Sequence, residues 1–532
     1  MMNANKEQLQ AINSNSDRIL CLAAAGSGKT KSLVGRVSRL VADGVDPSSI
    51  LSLTFTNAAA AEMRERYEKQ NPDKEVPEFR TFHAFCYSIL CKDPNIRIAL
   101  GYDNIPEIAS DVQIKELEEK AKLQCKTTLT KDQLLHRENL TKKEQFQAEL
   151  YDKALLRLMR FENLITFDRL NSDVSALFAS NNPVTQKYKD KYCYIFVDEY
   201  QDTDGIQMQF LNSFPNSNFY LTGDTLQNLY SFRGTSNEYI KMLSNAPDWE
   251  KVRLYINYRS TNQICEYANV FSEKYADPSY WVKMQGTRDG EKVKTKYVSG
   301  PTKYQAINPD SIADVLKELE NLSGSSAILC RTNKEVYAVT SYLKEQNIEF
   351  NSSKESELPQ LIECALSETY MMNWLASFLN SNKYGEYIRL SAQVDKPDLA
   401  WFLRLYGRSS QIKEYVSLVK QLQDISVAAK PISEKLAEVA DVFKLSQIDV
   451  PDTNCYGEEF LDYLKSQISK KLSTNLYVGT IHSSKGLEYD NVFVMNVGSY
   501  SFRLETEEMK NLFYVAITRA RNRLFVYKLF ES

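Results

Sequence analysis

The sequence is poor in the features that mark several protein classes. No apolar run reaches the roughly 18 residues needed to span a bilayer. The opening MMNANKEQLQ is polar and has no signal-peptide core. The nine cysteines are scattered, with no CxxC pair and no zinc-finger spacing to a histidine, so they read as reduced thiols in a cytoplasmic protein. Only three histidines are present. No internal repeat or low-complexity segment appears. The net charge of −4 over 532 residues argues against indiscriminate nucleic-acid binding, although it permits a local basic channel. Two basic stretches, MQGTRDGEKVKTKY (284–297) and KSQISKKL (465–472), read as solvated surface.

What is present is an ordinary globular composition, 43% hydrophobic and 25% charged, in a chain long enough for several domains. Residues 18–34, RILCLAAAGSGKTKSLV, run from an apolar strand through a small-residue loop into helical spacing. AAAGSGKT (23–30) fits the phosphate-binding pattern G-x-x-x-x-G-K-[ST], with Ala23 at the first glycine. The loop Ala23, Ala24, Ala25, Gly26, Ser27, Gly28, Lys29 and Thr30 is expected to wrap backbone N–H groups around phosphates. Lys29 would reach the β/γ-phosphates and Thr30 would ligate Mg2+. IFVDEYQDTD (195–204) drives an apolar strand into four carboxylates, which are costly at a buried strand end unless compensated. Opposite a phosphate loop they make sense. Asp198 is the candidate second metal ligand, and Glu199 the base that takes a proton from attacking water. The expected chemistry is hydrolysis of a nucleoside triphosphate.

Further motifs follow in order: ILSLTFTNAAAAEMRER (50–66), FRTFHAFCYSIL (79–90), FYLTGDTLQNLYSFRGT (219–235), LYINYRST (254–261), LYVGTIHSSKGLEYDNVFVMN (476–496) and NLFYVAITRARNRLFVY (511–527). This ordered set resembles the UvrD/Rep/PcrA-like superfamily 1A DNA helicases. The resemblance implies ATP as nucleotide, with Gln8 reading the adenine, Tyr258 stacking on it and Glu488 binding the ribose. It implies that Gln227 and Arg259 meet the γ-phosphate and that Arg519 is an arginine finger. Phe55, Tyr230 and Phe232 match positions on which the family stacks bases, and Thr56, His83, Thr480 and His482 fall in motifs that face the DNA strand. The sequence departs from the family at Lys31, where arginine is usual, and in GDTLQNLY, with Asn228 and Leu229. The stretch from Arg331 to Thr480 is shorter than the family's second insertion, and the chain stops soon after ITRARNRLFVY.

The expected fold is α/β, with two P-loop RecA-like motor domains and two mainly helical insertion domains. Residues 1–88 and 190–248 form the first, ATP-binding motor, with 89–189 as its helical insertion; 249–350 and 473–532 form the second, with 351–472 inserted. The expected activity is ATP- and Mg2+-dependent 3′→5′ translocation and unwinding on single-stranded or tailed duplex DNA, without membrane association, and with a nuclease or repair protein as a candidate partner. A second reading is a DNA-sensing regulatory ATPase subunit of a nuclease complex, as in Gabija-like antiphage systems, with little processive unwinding. A nucleic-acid-independent small-molecule kinase is a third, disfavoured by TIHSSKGLEY and ITRAR.

Overall fold

The computed structural model describes residues 4–130, 133, 134, 137, 140–180, 182–229, 235, 237–301, 305–352 and 475–530. Tyr230, Phe232, the basic stretch 465–472 and almost all of the expected second insertion, 353–472, lie outside the described residues. The chain divides into two compact units. The first comprises residues up to Asp289 together with Lys510–Tyr514, and the second the described parts of Gly290–Met509 and of the chain from Val515 on.

The first unit is built on a six-stranded parallel sheet. Its strands are β1 (Arg18–Ala23), β2 (Ile50–Thr54), β3 (Glu78–Thr81), β4 (Tyr194–Val197), β5 (Asn218–Gly223) and β6 (Glu250–Leu254), in the order β3-β2-β4-β5-β1-β6. The central strands read as nearly unbroken apolar runs because helices cover both faces. Ile19 and Cys21 of β1, Phe196 of β4, Tyr220 of β5 and Val252 of β6 share one core. Helix α2 (Lys29–Ala42) adds Leu33, Val34, Val37, Leu40 and Val41, the spacing of one buried helical face. The sequence reading begins the second motor at 249. In the structure β6 pairs with β1, from Ile19↔Glu250 to Ala23↔Leu254, so the first sheet extends past that boundary.

Helix α1 (Lys6–Asn13), which carries Gln8, is held against α2 by one buried guanidinium. Arg36 Nη1 donates to the carbonyls of Ala11 (3.2 Å) and Ser14 (2.7 Å), and Nη2 to that of Ser16 (3.2 Å). The Ala11 carbonyl belongs to the last turn of α1, left without a helical partner, and those of Ser14 and Ser16 lie at and just past its end. Between β3 and β4 the chain is helical. It includes α3 (Phe82–Lys92), α4 (Asp111–Cys125), α5 (Lys142–Phe161) and α6 (Phe167–Ala179). Ala121 of α4 packs with Leu129, Leu134, Leu140, Ala148 and Tyr151 in a small core of its own.

The second unit has another six-stranded parallel sheet: β7 (Lys294–Val298), β8 (Ser326–Cys330), β9 (Asn351–Ser352), β10 (Leu476–Thr480), β11 (Tyr489–Val497) and β12 (Ala520–Leu529), in the order β7-β12-β11-β8-β10-β9. Phe493 and Phe525 stack at 4.5 Å in its core beside Val478 and Ile328. The seven described cysteines are all free, and no described helix is long and apolar enough to cross a membrane.

Replacing Arg36 by methionine keeps the apolar packing but removes the donor to the buried Ala11 carbonyl and to the half-buried carbonyls of Ser14 and Ser16. We expect a loss of about 2–4 kcal/mol, read as a lower thermal midpoint. Arg36→Lys should recover little of it, because a single ammonium cannot span the fork. An Arg36→Met midpoint equal to the parent's would contradict this account of α1.

Candidate nucleotide site and DNA-facing residues

Strands β1, β5 and β4 lie side by side, and their carboxyl ends release the loops that meet at the site. Ala23 ends β1 with ordinary strand pairing, and no positive φ occurs there, so the loop tolerates alanine at its first position. The left-handed residues are Gly26 (φ +66°) and Gly28 (φ +79°). A Cβ on Gly26 would stand 2.8 Å from Asn257 Oδ1 and from Arg259 Cβ, and one on Gly28 would stand 2.8 Å from Gln8 Nε2.

Lys29 and Thr30 open α2 and reach across the sheet end. Lys29 Nζ is 2.8 Å from Glu199 Oε2, and Thr30 Oγ1 donates to Asp198 Oδ2 at 2.8 Å. Glu199 takes the left-handed conformation (φ +55°), which is costly for a side chain of this kind; its own N–H donates to Asp198 Oδ1 at 3.1 Å. From β5, Asp224 is buried, and its Oδ2 accepts from Gln227 Nε2 at 2.8 Å.

The electrostatics follow from burial. Desolvation pushes the Asp198 carboxyl up to about 6, reinforced by the Glu199 carboxylate and partly offset by Lys29 and Thr30. Asp224 is raised for the same first reason. Desolvation disfavours the Lys29 ammonium, yet Glu199, Asp224 and Asp198 together hold its pKa above the ordinary lysine value. Lys29 therefore faces three carboxylates. Thr30 and Asp198 are hard oxygen donors at that spot, and they fit Mg2+, which is bound by one or two carboxylates with substrate phosphates completing its shell.

The rest of the expected nucleotide set is distributed as follows. Gln8 caps its own helix with Asn5, accepting from Asn5 N at 3.2 Å, and its Nε2 donates to the Ser27 carbonyl at 2.9 Å. Tyr258 N donates to the Gly26 carbonyl at 3.0 Å while its side chain belongs to a residue 43% exposed, open to a planar ligand. Arg259 follows directly. The sequence reading missed Asn257, whose Nδ2 donates to the Ala25 carbonyl (2.9 Å) and whose Oδ1 accepts from Arg259 N (2.8 Å). It ties the phosphate loop to the Tyr258–Arg259 segment; the only signal was its position in NYRS. In the second unit, Glu488 is ion-paired with Arg521, and Arg519 is buried with Nε donating to the Val515 carbonyl (3.1 Å) and Nη1 to that of Leu487 (3.2 Å).

Of the DNA-facing set, Phe55 ends the β2 segment half-buried, its ring 5.7 Å from that of Phe82, and Thr56 caps the following helix by accepting from Ala59 N. His83 sits in α3, with Nε2 3.1 Å from Asn171 Nδ2 and its ring edge-on to exposed Phe167 at 5.7 Å. Phe167 is a second residue that the sequence reading passed over; an aromatic at a helix start gave no periodic signal. In the second unit, Thr480 Oγ1 accepts from Ser483 N at 3.2 Å, and His482 follows in the same turn.

Burial depresses the His482 pKa to about 4, helped by the cations Arg331 and Lys485. The ring is therefore neutral at pH 7 and offers a hydrogen bond, not a charge. Because its folded pKa lies below the unfolded value, this histidine costs nothing above pH 6.5 and destabilises the fold progressively as pH falls towards 4. NMR of histidine-labelled protein should show a His482 midpoint near 4, and His482→Gln should flatten part of the acid-side loss of stability. A midpoint of about 6.5 would contradict the burial and the cationic surroundings.

Two family models match the chain: the UvrD/REP helicase N-terminal domain over residues 4–248, and the UvrD-like helicase C-terminal domain over 252–380 and 359–529. Among curated proteins, the chain is 26% identical to a probable DNA helicase II homolog of Mycoplasma capricolum, covering 98% of this chain and 84% of that one. It is 26% identical to the ATP-dependent DNA helicase PcrA of Staphylococcus epidermidis (98% and 83% covered). It is 24% identical to the putative ATP-dependent DNA helicase YjcD of Bacillus subtilis (98% and 78%). Matched by both halves of the family along nearly its whole length, the chain belongs to the UvrD/Rep family of helicases and is an enzyme of that class.

Proposed function

We propose that this chain is an ATP- and Mg2+-dependent motor that moves 3′→5′ on single-stranded DNA and unwinds tailed duplexes. The observation that carries the reading is the pair of 2.8 Å contacts, Lys29 to Glu199 and Thr30 to Asp198, at the end of a parallel sheet beside a left-handed glycine loop. Lys29 already pairs with Glu199 there, and Asp198 and Asp224 lie buried beside it, an arrangement that costs more to bury than apolar packing would.

In the proposed mechanism, backbone N–H groups of the 23–30 loop cradle the ATP phosphates and Lys29 turns from Glu199 to the β/γ-oxygens. Bound Mg2+, held by Thr30 and Asp198, would neutralise charge on the β- and γ-phosphates. Release of Lys29 frees the Glu199 carboxylate to accept a proton from the attacking water as its oxygen bonds to the γ-phosphorus. The bond from that phosphorus to the β-bridging oxygen breaks, and ADP leaves. Gln227, at present bonded to Asp224, and Arg259, beside Gly26, are placed in this reading to contact γ-oxygens. For Arg519 the proposed role requires its guanidinium to exchange the Val515 and Leu487 carbonyls for phosphate oxygens. An arginine in that position contributes roughly 10³–10⁵ in rate. Tyr258 and Gln8 would hold the adenine, and Glu488 the ribose.

On the polynucleotide side, Phe55 with Tyr230 and Phe232 would stack on successive bases, each worth about 1–3 kcal/mol without reading sequence. Thr56, His83, Thr480 and His482 would line the strand's path, and Phe167 joins the set because it is exposed against His83.

Glu199→Gln should retain ATP and DNA binding and lose hydrolysis by about 10²–10⁴-fold, because shape is kept and the proton acceptor is gone. Lys29→Ala should weaken nucleotide binding itself. Steady-state ATPase and fluorescent-nucleotide titration separate the two. Near-parental turnover in Glu199→Gln would remove Glu199 as the base.

A further inference from the structure

The 23–30 loop is held from two sides within the first unit. On one side stands α1. Its Gln8 Nε2 donates to the Ser27 carbonyl at 2.9 Å, and the approach is so close that a Cβ on Gly28 would stand 2.8 Å from that nitrogen. On the other side runs the segment after β6, where Asn257 Nδ2 donates to the Ala25 carbonyl and Tyr258 N to that of Gly26. The two sides also meet each other directly. The Tyr255 hydroxyl donates to Glu7 Oε1 at 2.7 Å, across 248 positions of sequence. A phenol donating to a carboxylate makes a stronger bond than two neutral groups do.

The fold places each end of that bond. Tyr255 directly follows β6, which pairs with β1 as far as Ala23↔Leu254, and the Tyr255 carbonyl accepts from Gln285 N at 2.9 Å. Its backbone is therefore fixed relative to the sheet. Glu7 lies in the first turn of α1, next to Gln8, whereas Arg36 grips the other end of that helix at the Ala11 and Ser14 carbonyls. The guanidinium docks the helix, and the Tyr255–Glu7 bond bears on the turn that carries Gln8. Helix α1, the loop and the 255–259 segment thus form a closed ring of three pieces. Gln8 and Tyr258, the two side chains assigned to the adenine, belong to the two pieces that this bond joins.

We propose that Tyr255 and Glu7 are positioning residues for nucleobase recognition: their bond sets the spacing between Gln8 and Tyr258, and so governs affinity for ATP and its preference over GTP. The inference rests on the ATPase reading above and adds to it the pair that holds the base side of the site. Neither residue is assigned a contact with the nucleotide, so both act through their neighbours. When the bond is lost, the loop keeps its ties to Asn257 and to Tyr258 N. Ligands with and without a base should therefore respond differently, whereas loss of a merely structural bond would weaken both alike.

The test measures steady-state hydrolysis of ATP and of GTP, with Mg2+ and a saturating thymidine oligonucleotide. Inhibition by inorganic tripolyphosphate, which has neither base nor sugar, is measured beside it. The proteins are parent, Tyr255→Phe, Glu7→Ala, Glu7→Gln and the double variant Tyr255→Phe/Glu7→Ala, with folding followed by thermal midpoint. Tyr255→Phe should raise KM for ATP about 3- to 20-fold and keep kcat within about twofold. It should lower kcat/KM for ATP relative to that for GTP, and leave the tripolyphosphate inhibition constant within about twofold of the parent's. Glu7→Ala should match it, and Glu7→Gln, whose amide oxygen can still accept, should lose less. The double variant should lose no more than either single one. A parental KM for ATP in folded Tyr255→Phe, an unchanged ATP-to-GTP ratio, equal weakening of ATP and tripolyphosphate, or strictly additive losses in the double variant overturns the inference and leaves the ATPase reading intact. If Tyr255→Phe does not fold, Glu7→Ala decides on the same readings. A parent that does not hydrolyse ATP overturns the ATPase reading and this inference with it.

Discussion

The Lys29 ammonium stands 2.8 Å from Glu199 Oε2, with Asp198 and Asp224 close enough to raise its pKa. The first unit is arranged around this ammonium and the acids that face it. Three strands end where the acids and the loop must meet, Glu199 adopts a left-handed backbone to aim its side chain, and Asp198 is held by Thr30 with its carboxyl pushed up to about 6. A buried cluster of this kind is poor structural material, since well-packed apolar residues would be as stable or more so. The proposed mechanism makes its cost intelligible, since phosphates would displace Lys29 from Glu199 and a divalent cation would join Asp198.

Much of this was legible in the chain. A strand, a small-residue loop and a helix in immediate succession specify a tight loop with left-handed glycines at the sheet end through local geometry alone, and an apolar run that ends in acids declares a buried strand end. Even the exception at Ala23 has a local reason, because that residue is still strand. What was not legible depends on contacts between residues far apart in sequence. Asn257 meets Ala25 across 232 positions, and Gln201 joins Glu199 to the Asp224 backbone by side-chain hydrogen bonds that leave no periodic trace. Phe167 gains meaning only from the histidine beside it.

The placement of β6 shows a different limit. Glu250–Leu254 alternates, as suits a strand at the edge of its sheet, and nothing in that pattern says which of two sheets it joins; its pairing with β1 answers that. The stretch 284–297, read as solvated surface, behaves so in the second unit. Lys294 and Lys296 lie at the surface in ion pairs with Glu318, at 3.1 and 2.8 Å, and Lys296 pairs also with Asp314. Ion pairs this open to solvent contribute little to stability.

The central claim is that ATP hydrolysis at Glu199 is converted into directed movement along DNA. Strand displacement from duplexes bearing either a 3′ or a 5′ single-stranded tail, with ATP and Mg2+ present, tests it most directly. The account predicts displacement from the 3′-tailed duplex, none from the 5′-tailed one, and none when Mg2+ is chelated. DNA-stimulated hydrolysis with no displacement from any 3′-tailed duplex would contradict it and leave a DNA-sensing regulatory ATPase in its place.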